Sequence, residues 1–161
     1  MTKSEFILLR RAEFPKTLKL LRLYPEDKKD LKPSPTIRSA IELATVFVNE
    51  EGMNHSFAST RAFDFTKRVR AEPPPTMREA IDELEAVAAE TNAALARLSE
   101  EDFQQPVNAF GHTMPLSAVL FTMMLDHIHH RGQFTIYSRI AGAKVPQIYG
   151  PSADEPMQPP K

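Results

Sequence analysis

At 161 residues, 42% hydrophobic and 25% charged, the chain has the length and composition of one globular domain, expected to span residues 1–161. A net charge of −1 leaves no overall field directed at nucleic acid or an anionic membrane surface, and no segment holds the ~20 consecutive apolar residues that cross a bilayer. The absence of cysteine excludes disulfides, thiolate catalysis and cysteine-ligated zinc; with no signal-peptide-like stretch at the N-terminus, it points to a cytoplasmic protein.

The first helical period runs from about Ser4 to Leu23, with Ile7, Leu8, Phe14, Leu18 and Leu21 as its expected apolar face and Pro15 expected to kink or restart it. Its basic residues, Arg10, Arg11, Lys16, Lys19 and Arg22, are interrupted by Glu5 and Glu13, which reads as a solvated face rather than a nucleic-acid patch. A second helix is expected from Thr36 to about Asn54, with Leu43, Val46, Phe47 and Met53 defining an apolar sector that also contains Glu50. Pro73-Pro74-Pro75 punctuates the chain, and Thr76-Met77-Arg78-Glu79 then reads as a capping box opening a third helix. Its core face is Ile81, Leu84, Ala88, Leu95 and Leu98. Ser99 to Gly111 reads as a loop with a turn near Glu100 to Phe103, and no convincing strand pair is found. The last helix should run from Thr113 or Pro115 to Ala141, with Gly142 ending it in the left-handed conformation. The Pro- and Gly-rich segment Lys144 to Lys161 is expected to be an extended tail laid over the helices or a partner. The predicted architecture is all-α, an antiparallel four-helix bundle with an extended C-terminal tail.

At 100° per residue the last helix divides into three strips. Val119, Met123, Phe134 and Ile140 share one with Asp126, His130, Gln133 and Tyr137, which is expected to face the interior. A second apolar strip, Phe121, Leu125, Gly132 and Ile136, suits a homodimer interface, because a helical glycine costs ~1 kcal/mol that close approach of another backbone would offset. Cover by the C-terminal tail in a monomer is the alternative. The third strip, His127, Arg131, Thr135 and Ser138, is polar.

Asp126 and His130 lie one helical turn apart and therefore stack on one face. A carboxylate and an imidazole so placed can supply two ligands to a divalent metal, with the third from another helix. Glu50 is the better placed candidate for it, whereas His55 falls on the opposite side of the second helix. Alternatively Asp126 and His130 form a hydrogen-bonded pair within a polar network that includes Gln133 and Tyr137.

The run Asp126-His-Ile-His-His-Arg-Gly-Gln133, followed by Tyr137-Ser-Arg139, Gly142, Val145-Pro146 and Ile148-Tyr-Gly-Pro-Ser-Ala-Asp-Glu155, closely resembles the C-terminal half of the DinB-like family. The resemblance is strong over 120–155 and weaker elsewhere. It implies a dimeric four-helix bundle with a divalent metal site at its open end, holding nickel, zinc or another ion through three histidines. It also implies relatives that are transferases or isomerases using a small-molecule thiol. The sequence departs from that pattern twice. Asp126 stands where the first histidine of the last helix belongs, and Thr45 or Val46 where the second-helix histidine belongs. Only His130 matches; Asp126, His130 and Glu50 would form an oxygen-rich set suited to harder ions such as Mn²⁺ or Fe²⁺.

Two functions follow. One is a metal-dependent transferase or hydrolase, with His129 or His127 as acid or base and a thiol arriving as cosubstrate, since the chain has none. The other is a non-catalytic stress-response or binding module with a vestigial site, in which Arg131 or Arg139 pairs with Asp154 or Glu155. Nucleic-acid binding has no support in the charge balance.

Overall fold

Helix starts in this chain are written by side-chain caps, and the computed structural model, which describes residues 1–64 and 72–157, shows them in place. Helix α1 (Lys3–Arg22) is opened by Thr2, whose hydroxyl accepts from the Glu5 amide while Glu5 answers to the Thr2 amide. Ser39 and Glu42 make the same reciprocal cap for α2 (Ala40–Thr60). The second helix therefore starts later than Thr36 and extends past Asn54. Thr76 caps α3 (Met77–Arg97), accepting from the Glu79 amide as the sequence predicts, but Glu79 answers to the Thr76 hydroxyl at 3.1 Å instead of closing the expected box at its amide. A third reciprocal cap, Ser99 with Asp102, turns part of the expected loop into the short helix α4 (Glu100–Gln104). The last helix, α5, spans Leu116–Ile140 and ends at Gly142 with φ of +80°. Pro15 lies inside an uninterrupted α1, so the expected restart at Phe14 does not occur.

The all-α expectation needs correction. Strands β1 (Pro106–Ala109) and β2 (His112–Pro115) pair antiparallel, Val107 opposite Met114 and Ala109 opposite His112. Phe110 and Gly111 form the turn with φ of +53° and +79°, the double left-handed geometry that suits a two-residue hairpin. Each strand is only four residues long and bounded by proline, too short for an alternation to stand out in the sequence. Burial of Val107 and Ala109 against the neighbouring core supplies what the local pattern lacks. The molecule is thus mostly helical, with one small sheet. Among the described residues no helix is long and apolar enough to cross a membrane.

Helices α1 and α2 each pack against both α3 and α5. The core is layered along these helices. One apolar cluster gathers Leu18, Leu20, Leu21, Phe47, Leu84, Phe134 and Tyr137; the other gathers Phe6, Phe57, Leu95, Phe103, Leu116 and Leu120. Between them the helices present buried polar groups: Arg10, Glu13 and Thr17 on α1, Glu50, Glu51 and Asn54 on α2, Thr91 on α3, and His127 and Arg131 on α5. Arg10 ties three helices together, donating from Nη1 to Glu51 Oε2 at 2.9 Å and from Nε to Asn92 Oδ1 at 2.8 Å. Arg131 Nη2 bonds Glu13 Oε2 at 2.5 Å. Such an ionic belt persists in a core because Arg10 is paired with Glu51 and Arg131 with Glu13.

This belt alters part of two expected faces. On α1, Leu8 is 69% exposed while Arg10, Glu13 and Thr17 point inward. On α5, Val119, Met123, Phe134 and Tyr137 of the expected interior strip are buried, but His127, Arg131 and Ser138 of the polar strip lie inside as well, whereas Gln133 and Ile140 are exposed. An apolarity rule assigns arginine and glutamate outward; their pairing across the core reverses it. The tail, of which residues 158–161 lie outside the described set, runs over α1 and α5. Tyr149 donates its hydroxyl to Glu13 Oε2 at 2.6 Å, and Lys16 Nζ stands 4.3 Å from its ring centre. Arg139 reaches Asp154 at 3.8 Å, whereas Arg131 pairs with Glu13 and Tyr149 rather than with either tail carboxylate.

Candidate metal centre

The polar belt opens to solvent where α2 meets α5. Glu50 projects from α2 and is only 5% exposed, with Oε1 3.4 Å from His130 Nε2 and Oε2 3.8 Å from His127 Nδ1. Asp126, one turn before His130, places Oδ1 3.7 Å from the same His130 Nε2 and is half exposed. One ligand atom from each of Glu50, Asp126 and His130 lies within 4.8 Å of the other two. Adjacent ligands at ~2.1 Å from a common ion stand roughly 3 to 3.5 Å apart, so these spacings need little adjustment. His55 is not brought to this group: α2 continues through it, and it remains on another side of the helix, half-buried.

Both Glu50 oxygens are buried without a hydrogen-bond partner. Burial, and then the nearby Asp126 and Glu51 carboxylates, push its carboxyl up to about 9, with Arg38 opposing. The floor beneath is aromatic: the His127 ring meets Phe47 edge-on at 5.0 Å and stacks on Phe14 at 6.0 Å. His127 itself shares a 2.8 Å hydrogen bond with Thr17 Oγ1, and burial together with the Arg131 and Arg10 charges pushes it down to about 3, so it stays neutral. A buried pair of carboxyl oxygens with no hydrogen-bond donor, facing an imidazole nitrogen, fits a cation that would displace its proton.

Gln133 decides which nitrogen His130 offers. Its Oε1 can only accept, and it lies 2.9 Å from His130 Nδ1, so Nδ1 carries the proton and Nε2 turns its lone pair toward Glu50 and Asp126. The Gln133 amide then donates to His129 Nε2 at 2.9 Å. His129 is exposed and lines a 410 Å³ cleft with Phe110, Leu125 and Asp126, beside the hairpin turn. The structure thus brings Glu50, Asp126 and His130 together, places His129 at the mouth, and buries His127 behind. Sequence reasoning missed Thr17 and Glu13 behind the site; Glu13 falls one turn after Arg10, a spacing that would have paired them on one face.

The DinB family profile matches residues 20–161. The chain belongs to the DinB family. This DinB-family protein is 34% identical over 96 residues to the uncharacterized protein YrdA of Bacillus subtilis, a stretch covering 57% of the chain and 58% of YrdA. A DinB-like protein from Bacillus cereus superposes with a TM-score of 0.77 at 24% identity, covering 92% of this chain and 98% of the other. A mycothiol-dependent maleylpyruvate isomerase, in a variant form, gives a TM-score of 0.61 at 18% identity, with 89% of this chain and 62% of the isomerase covered. At those identities the structural likeness establishes the fold alone.

Proposed function

We propose that this DinB-family protein is a divalent-metal-dependent enzyme of the thiol-using transferase or isomerase type, with Glu50, Asp126 and His130 as its metal ligands. The observation that carries this reading is the buried Glu50 carboxylate, without a hydrogen-bond donor and within reach of His130 and Asp126. Two carboxylates and one imidazole favour Mn²⁺ or Fe²⁺, with Zn²⁺ and Ni²⁺ as competitors. When bound, such an ion supplies Lewis acidity that lowers the pKa of a coordinated water or thiol. Gln133 holds His130 in the ligating tautomer. His129, joined to the same glutamine, stands where it can pass a proton between the cleft and solvent. His127 positions Glu50 from behind. With no cysteine in the chain, a thiol nucleophile comes from a cosubstrate; the mycothiol dependence of one structural neighbour supports a small thiol in that role. The ring of contacts among the four long helices supports reading them as an antiparallel bundle with this site near one end.

Untagged protein is expected to carry or take up close to one equivalent of metal, measured by elemental mass spectrometry after exposure to Mn²⁺, Fe²⁺, Zn²⁺ or Ni²⁺. His130→Ala should abolish uptake. Less than about a tenth of an equivalent, with no recovery on addition, overturns the proposal. One observation favours a non-catalytic module instead: a neutral Glu50 lets the site stand without an ion. A melting temperature that no metal or chelator moves would decide for that reading.

The same reading includes a homodimer through α5. Phe121, Leu125, Ile136 and Ile140 form an exposed apolar strip, and a Cβ built on Gly132 would meet nothing within 4 Å, so no contact within the chain accounts for that glycine. Leu125→Asp is expected to halve the mass read by light scattering without changing helicity; a wild-type mass equal to the monomer rejects the dimer.

A further inference from the structure

Beside the metal ligands, on the side away from His129, lies a cleft of 570 Å³ whose walls include Ile37, Arg38, Leu43, Gln133, Ile136 and Tyr137. That volume is in the range that takes a small organic molecule. Its apolar surface comes from Ile37 and Ile136, 41% and 52% exposed, with Leu43 behind them. Its one formal charge among these residues is Arg38. The side chain is exposed and forms no ion pair among the described residues, whereas nearby Lys32 pairs with Glu42. The backbone beneath it is fixed: Tyr137 donates its hydroxyl to the Arg38 carbonyl at 2.8 Å, and the next residue, Ser39, caps α2. Arg38 is therefore a cation anchored at the rim of an apolar slot, and Gln133 is common to that slot and to the hydrogen-bonded pair that orients His130.

We propose that this cleft binds the carboxylate end of a small, partly apolar acid, with Arg38 as the residue that recognises it. A planar guanidinium offers a carboxylate two parallel hydrogen bonds, and the apolar walls accept the carbon skeleton. The placement of the acid's reacting end toward Glu50, Asp126 and His130 rests on the metal-enzyme reading; the carboxylate contact does not. The Arg38 charge is felt at Glu50 and at the buried Tyr137 hydroxyl, opposing in both cases the rise that burial causes. An anion neutralising Arg38 would thus sit within electrostatic range of the ligand set.

The test uses phenylacetate and its neutral isostere phenylacetamide, titrated into the full chain while amide resonances are followed by NMR, with and without Zn²⁺. Phenylacetate is expected to bind saturably in both states, moving resonances of Ile37, Gln133 and Ile136, and phenylacetamide at least tenfold more weakly. Arg38→Gln, a change at an exposed side chain, should weaken phenylacetate at least tenfold and erase the preference for the acid. Equal binding of acid and amide, no saturable binding in the wild type, or undiminished phenylacetate affinity in Arg38→Gln each overturns the proposal. Zn²⁺ titration of the same samples reads the metal centre separately. Arg38-dependent phenylacetate binding in a protein that takes no Zn²⁺ keeps the subsite and removes the metal, whereas Zn²⁺-dependent binding indifferent to Arg38 does the reverse.

Discussion

Glu50→Gln is expected to stabilise the metal-free protein above neutral pH and, at the same time, to remove its metal affinity. In the folded chain the Glu50 carboxyl is pushed from an ordinary 4.5 up to about 9, first by burial and then by Asp126. Between those two values the folded state holds a proton that the unfolded state has released. Its stabilising contribution is therefore complete below about pH 4.5 and is lost as pH rises toward 9. One proton's difference gives a slope of up to about 1.4 kcal/mol per pH unit. Glutamine mimics the protonated carboxyl in shape and can donate to Asp126 as that carboxyl would, but it does not titrate. At pH 8 the variant should exceed the metal-free parent by a few kcal/mol, and the two should converge near pH 5. Urea denaturation at several pH values measures this; parallel profiles from pH 5 to 9 would reject the assignment. A saturating ion narrows the gap, since binding at a hundredfold excess over Kd adds ~2.7 kcal/mol to the parent alone. A residue whose replacement stabilises the empty fold and destroys binding is held there for function.

Much of this site was legible in the residues. The spacing of Asp126 and His130 on one helix needs only the period of the helix, and Glu50 stood out as an acid within an apolar sector. Their convergence within 4.8 Å follows from α2 packing on α5. The caps at Thr76 and the stop at Gly142 were equally readable, because their signals are local. What escaped was every feature whose cause lies across the fold. Arg10 and Arg131 look like solvent residues until Glu51 and Glu13 are found opposite them, and that pairing extends the inward faces of α1 and α5 to polar residues. For the same reason His127 reads as an exposed acid or base, although it is a neutral buried group bonded to Thr17. The hairpin was missed because its strands are stabilised by Val107 and Ala109 entering a core built by other elements.

The largest stability loss is expected from Arg131→Met, about 3 to 5 kcal/mol, because it strips buried Glu13 of a fully buried cationic partner and leaves only Lys16 and Tyr149 at its carboxylate. Arg131 is only 1% exposed and holds the Glu13 carbonyl at 3.0 Å as well as its carboxylate, while also donating to the Tyr149 hydroxyl. Burial alone would raise the Glu13 carboxyl; Lys16, Tyr149 and Arg131 overcome it and hold it at about 2 against an ordinary 4.5. That depressed value contributes stability above pH 4.5 that is lost as pH falls toward 2, so the parent should show a steep acid limb in this window. Arg131→Met should make it shallower, with Lys16 and Tyr149 holding the remainder. Tyr149→Phe, which removes one hydroxyl from the same carboxylate, should cost only about 1 kcal/mol. The pair Glu13→Leu with Arg131→Met separates desolvation from packing. If the single-variant loss comes from an orphaned charge, the double variant should recover most of it. A double variant as unstable as Arg131→Met alone would mean that the arginine acts mainly by filling space. The belt would then be a packing layer, and its charges would not account for the inward faces of α1 and α5.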